Sequence, residues 1–203
     1  RKIFMINFTL FSALSVFYFT MFFTPGPNNA MLTASGMKFG FIRTLPHAIG
    51  IPIGHIIQIG LTCLGLANIF LIYPQVQFYM KILCFLYLIF LGWKMIGSFS
   101  SKQKETGRPL KFYEASLFQF INPKAWSIAI TVASGFFPTE ENIFLGVIFV
   151  TITAAAICFP TICLWALFGS GLRKFVNNKK IKNLIEYILA VLLVLTGLYI
   201  LIK

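Results

Sequence analysis

Six apolar stretches, at about 3–23, 45–71, 76–97, 113–137, 143–168 and 184–202, dominate this chain. Each approaches the roughly 20 residues that a helix needs to cross a bilayer. Within hydrocarbon every backbone N–H and C=O must find a partner in its own segment, so all six are expected to be helical. The fold class is therefore all-α, a polytopic membrane protein with six transmembrane helices. Composition agrees: 58% of residues are hydrophobic and 11% charged, against ~25% charged in a soluble domain. A single transmembrane domain, 1–203, is expected, since no stretch outside the spans exceeds about twenty residues.

Charge then orients the spans. The net charge of +12 comes from 17 Lys and Arg against five glutamates, with no aspartate. Such a balance suggests nucleic acid, but the basic residues gather in the connections between apolar runs, which is how membrane topology is encoded. Lys38 and Arg43 lie between the first two spans. Lys102, Lys104, Arg108 and Lys111 lie between the third and fourth, and Arg173, Lys174, Lys179, Lys180 and Lys182 between the fifth and sixth. The alternate connections, at Tyr73-Pro74 and Pro138 to Asn142, carry no Lys or Arg but hold Glu140 and Glu141. The basic side is expected to face the cytoplasm and nucleic acid is excluded as a partner. Six crossings place both termini outside; a re-entrant hairpin around Pro25 would bring the N-terminus inside. Arg1-Lys2 before an apolar run imitates a secretory signal. The run reaches Phe23, beyond the ~7–15 residues of a signal core, so a first transmembrane helix is expected, with the start upstream or at Met5.

Two proline-bearing breaks interrupt this pattern: Thr24-Pro25-Gly26-Pro27-Asn28-Asn29 and Asn122-Pro123-Lys124. A proline in a membrane helix frees a carbonyl and removes an N–H, which is tolerated only where the break is buried in protein or lines a polar cavity. Paired breaks in the two halves of a polytopic chain point to a transporter's binding site. With three spans in each half, the halves 1–98 and 112–203, joined by the basic loop 99–111, would be inverted repeats with proline-broken first helices. The helix restarting at Pro27 offers free N–H groups at its positive end, suited to a carboxylate. Pro25, Gly26, Pro27, Asn28 and Asn29 are candidates there. In the second break, Lys124 lies some ten residues into its span, and an intramembrane lysine is a functional candidate. Asn122 and Pro123 accompany it. Asn122 would orient a ligand by hydrogen bonds.

The remaining polar residues have blander readings beside functional ones. Gly50, Gly54, Gln58, Thr62 and Gly65 share a face of the second span, where small residues serve close helix packing. Gln58 needs a partner and is a candidate for the cavity lining. His47 and His55, two turns apart on that helix, are candidates for proton coupling; His47, near the helix start, is alternatively solvated. Glu114 and Glu186 are expected to pair with neighbouring lysines, Lys111 in the first case. Cys63, Cys84, Cys158 and Cys163 lie in apolar runs without a CxxC or Cys/His spacing, so neither disulfides nor metal ligands are expected. There is no phosphate-cradling GxxxxGK[ST], HExxH or GxSxG motif, which leaves no enzyme, no cofactor and no ATP-driven step.

Together with Ala34-Ser35-Gly36, with Phe39-Gly40-Phe41-Ile42-Arg43-Thr44-Leu45-Pro46-His47 and Gly50, with Phe90-Leu91-Gly92-Trp93-Lys94 and with Gln119-Phe120-Ile121-Asn122-Pro123-Lys124-Ala125-Trp126, the first break resembles the LysE/RhtB family of amino-acid exporters. The resemblance runs in order over nearly the whole chain, and the Pro-Gly-Pro-Asn and Asn-Pro-Lys pair is its specific part. It implies an inner-membrane secondary transporter expelling amino acids, in exchange for protons. The site implied comprises Pro25, Gly26, Pro27 and Asn28 with Asn122, Pro123 and Lys124. An exporter of basic amino acids would offer intramembrane acids, and this chain has no aspartate, so a small neutral amino acid is the expected substrate. A homo-oligomer is compatible with this reading. A membrane thiol–disulfide carrier, which needs cysteines at the breaks, and an ion or metal transporter, which needs carboxylates or a His/Cys/Asp cluster, are the alternatives.

Overall fold

Helix α1 spans Phe8–Phe23 and begins where Asn7 caps it, its Oδ1 accepting from the Leu10 N–H at 2.8 Å. It stops at Thr24 because the following proline excludes the helical conformation there; Thr24 is extended, at φ −64° and ψ 141°. Pro27 then opens α2, Pro27–Phe39, at a position that needs no N–H. The two helices meet at a bend of 56°.

The computed structural model describes residues 6–66, 72–73, 75–96, 108–138, 142–175 and 179–202. Among these residues there are eight α-helices and no strand. Gly40, at φ 82°, is the only residue between α2 and α3 (Phe41–Leu61), a left-handed turn that favours glycine. Lys38 and Arg43, expected in a connecting loop, are therefore in the last turn of one helix and the first of the next. Pro46 and Pro52 lie inside α3. A π-helical turn, Thr62–Leu66, follows, bent at Gly65 with φ 112°. Gly65 thus bends the chain and does not extend the packing stripe.

Helix α4 is Gln75–Met95. The expected fourth span is two pieces, α5 (Phe112–Phe118) and α6 (Pro123–Gly135), parted at the second break. Helix α7 runs over Ile143–Phe175 and α8 over Lys179–Ile202. Both outrun their apolar stretches. Arg173 and Lys174 lie in the last turn of α7 and Lys179, Lys180 and Lys182 in the first of α8, residue types that favour helix. Most of the connections expected at 99–111 and 138–142 lies outside the described residues, as does the side chain of Glu186.

Packing crosses between the halves. The broken pair α1/α2 rests on α7, and the broken pair α5/α6 rests on α3. Helices α3 and α7 cross each other, as do α4 and α8. The main core joins Tyr18 and Phe22 of α1, Ile51 and Ile59 of α3, Ile128 of α6 and Ile162 of α7. Tyr18 anchors it by donating from its hydroxyl to the Val150 carbonyl at 2.9 Å. At the α3–α5 crossing, a Cβ on Gly50 would collide with the Phe112 carbonyl, and one on Gly54 would stand 2.5 Å from that of Ser116. These two glycines serve close packing, as the small-residue stripe predicts.

The outward faces are apolar too: Phe8 is 82% and Trp93 73% exposed, an arrangement stable only against lipid. Among the described residues, two helices, Phe41–Leu66 and Ile143–Leu172, are long and apolar enough to cross a membrane, and α1 with α2 makes a third if the bent pair is one span. The protein is a multi-pass membrane protein.

Candidate functional site

The two proline breaks, distant in sequence, meet in the bundle. Lys124, in the first turn of α6, sends its ammonium across to the first break. Its Nζ donates to the Thr24 carbonyl at 2.7 Å, the Thr24 hydroxyl at 2.9 Å and the Pro25 carbonyl at 3.3 Å. The Thr24 and Pro25 carbonyls, which lie in the break between α1 and α2, are thus satisfied by a cation from the other half. Gly26 makes room for it: a Cβ there would lie 3.0 Å from Lys124 Cδ and 3.1 Å from Nζ.

Amides complete the accounting. Asn29 donates through Nδ2 to the carbonyls of Phe22 (2.9 Å) and Thr24 (2.8 Å), closing the α1–α2 corner. Asn28 and Gln119 exchange reciprocal side-chain bonds at 2.9 and 3.1 Å, tying α2 to the second break. Gln58 donates to the Gln119 carbonyl at 3.0 Å, and the Trp126 indole to the Phe120 carbonyl at 2.9 Å. Asn122 caps α6, its Oδ1 accepting from the Lys124 N–H at 3.1 Å. Its carbonyl oxygen is thereby engaged by the backbone.

Between the breaks lies a cavity of about 20 Å³, space for roughly one water molecule. Gly26, Pro27, Asn28, Asn29, Asn122 and Lys124 line it, as does His55 from α3. Phe22, Ile51 and Ile162 form its apolar wall. The lining holds one cationic side chain, Lys124, and no carboxylate.

Sequence-predicted candidates divide accordingly. Pro25 enters through its carbonyl, and Pro123 faces the far side of α6 in another cavity. Gln58 lies behind the lining and supports the second break, with its Oε1 unpartnered among the described residues. His55 is at the cavity, 1% exposed, packed on Phe22 with its Nδ1 unpartnered among the described residues. His47 lies apart and is not solvated: it is 1% exposed, and both ring nitrogens are buried without partners among the described residues. The α5 helix covers this part of α3, because Gly50 and Gly54 admit its backbone. Glu114 pairs with Arg108, not with the Lys111 side chain, through two bonds of 2.5 and 2.6 Å, and also accepts from the Lys111 N–H. A carboxylate at the third helical position reaches back to the cap residue by this geometry.

Thr24 and Gln119 are the residues that sequence reasoning left out. Both open the quoted stretches without being candidates there, so polarity beside a break was the available signal. Lys81 of α4 was also overlooked.

A family model for LysE type translocators matches residues 19–203. The chain belongs to the LysE type translocator family. This translocator is 29% identical over 162 residues to a cysteine/O-acetylserine efflux protein of Salmonella paratyphi A, covering 79% of this chain and 82% of that one. It is 28% identical over 163 residues to the protein of the same name from Escherichia coli K12, covering 79% and 83%. No solved structure matches the chain. The translocator is a transport protein and not an enzyme.

Proposed function

We propose that this translocator exports small neutral amino acids or their close derivatives across the inner membrane, by proton antiport. The observation that carries the reading is the reach of Lys124 from the second break to the Thr24 and Pro25 oxygens of the first. An ammonium held by neutral oxygens can exchange them for a carboxylate, a stronger acceptor. Cysteine and O-acetylserine, named for the relatives, are small and have no cationic side chain. A cavity with one lysine and no carboxylate matches that class.

In this reading Pro25, Gly26, Pro27, Asn28 and Asn29 form one side of the site and Asn122, Pro123 and Lys124 the other, with Gln58 in support. The fold is six crossings arranged as two inverted three-helix repeats, 1–98 and 112–203. Reciprocal packing supports it: each half lays its broken helices on the long middle helix of the other. The basic connections face the cytoplasm. Alternating access is the rocking of one half against the other about the breaks. In this reading His55, at the cavity with a nitrogen unpartnered among the described residues, takes the proton, and His47, two turns away on α3, is the second candidate for coupling.

Export from cells loaded with labelled amino acids tests the proposal, comparing the intact protein with Lys124→Ala. Faster loss of cysteine or O-acetylserine than from cells lacking the protein, abolished by Lys124→Ala with membrane insertion intact, is the expected result. Equal loss with and without the protein for every amino acid ends the export reading. Undiminished transport by Lys124→Ala returns that residue to a purely structural role.

A further inference from the structure

A second cavity lies on the opposite face of α6. It measures about 330 Å³ and is lined by Met80 and Lys81 of α4 and by Pro123, Trp126, Ser127, Ile130 and Thr131. The first turn of α6 is thus a partition, with Pro123 facing this groove and Lys124 facing the cavity between the breaks. The groove has room for a whole amino acid, which the closed central cavity lacks.

Its chemistry is two-ended. Lys81 lies six residues into α4, about 9 Å along a helix of 1.5 Å rise, in a segment that is otherwise apolar around it. Among the described residues no hydrogen bond or ion pair reaches its ammonium, and such a charge within a span needs a partner. Ser127 donates to the Pro123 carbonyl at 3.0 Å, so its oxygen remains an acceptor. The Trp126 ring is held by its bond to Phe120, and Met80 and Ile130 complete an apolar wall. From Pro123 to Thr131 the floor rises through eight steps of helix, about 12 Å.

We infer that the α4–α6 groove is a second binding site for the exported zwitterion. The carboxylate pairs with Lys81, the ammonium is accepted by the Ser127 and Thr131 hydroxyls, and the apolar part lies on Trp126. This rests on the export reading and deepens it. In the proposed topology α4 begins and α6 ends beside the connections without Lys or Arg, so the groove opens on the exit side. A zwitterionic lipid headgroup carries the same pair of charges. It sits at the headgroup level, however, whereas this groove extends inward to the break.

The test is the binding stoichiometry of labelled O-acetylserine on the full-length protein in nanodiscs. One set contains phosphatidylglycerol only, the other phosphatidylglycerol with phosphatidylethanolamine. Expected are two molecules per chain for the intact protein in both lipids, one for Lys81→Gln, one for Lys124→Gln and two again for Lys81→Arg. Two molecules bound by a folded Lys81→Gln protein, or one by the intact protein that Lys124→Gln removes, overturns the groove and leaves the central site standing. A second molecule lost only when phosphatidylethanolamine is present makes the groove a lipid site and also overturns the inference. Absence of binding to the intact protein ends both readings.

Discussion

A methyl group at position 26 would stand 3.0 Å from Lys124 Cδ, so the smallest possible substitution bears on the contact between the breaks. Gly26→Ala is expected to lower export at least tenfold without changing the amount of protein in the membrane. Export and a quantitative blot of the membrane fraction measure the two separately. The Asn28–Gln119 amide pair has a different signature. Asn28→Leu strips the buried Gln119 amide of all but its bond to the Ala115 carbonyl, and Gln119→Leu leaves the half-buried Asn28 amide without its partner, each at about 1–3 kcal/mol, whereas the double variant loses both partners together. Thermal unfolding in detergent is expected to show less destabilisation in the double variant than the sum of the singles, by about 1 kcal/mol. Additive effects would mean that the two amides do not interact. Lys124, Asn122 and Asn28 stand out in the sequence because charge and amide groups beside proline are costly within an apolar run. Thr24 and Gln119 do not, since their value depends on partners 100 and 91 residues away.

At the scale of elements, local chemistry explains most boundaries. Asn7, Asn122 and the Lys111–Glu114 pair start helices, and Pro25 stops one. The break of the fourth span into α5 and α6 is legible in Asn122-Pro123 alone. Helix lengths are less so, because an apolar stretch marks the hydrocarbon and not the end of winding; α7 and α8 extend into their basic flanks for that reason. The bend at Gly65 was also hidden, as glycine in a small-residue stripe reads equally well as packing. At φ 112° a side chain is strained by roughly 1–3 kcal/mol. Gly65→Ala is therefore expected to lower the thermal midpoint, and an unchanged midpoint would show that the bend is not needed for stability. Gly54→Val should be worse, since backbone and not a flexible side chain opposes it. Overpacking of this kind costs about 1–3 kcal/mol or more, and detergent-resistant folding by size exclusion reports the loss.

For the whole molecule, the proposed orientation predicts which faces meet which solution. In a cysteine-free background, Lys111→Cys is expected to react with an impermeant thiol reagent only after the cytoplasmic side is opened, and Asn142→Cys in intact cells. Labelling of both from one side would contradict an odd number of crossings between them. Hydropathy alone determined the class of this protein: apolar lengths demand helices in lipid, because that depends on the solvent and not on neighbouring segments. The proline breaks likewise announced where helices would part. What the breaks do was decided by tertiary structure. Only the crossed packing of each half on the other brings Lys124 to the Thr24 and Pro25 oxygens, turns Gln58 away from the cavity, buries His47 and opens a groove at Lys81. A polar group in a membrane must find a partner, and the sequence states the need; which group answers is a matter of how the helices cross.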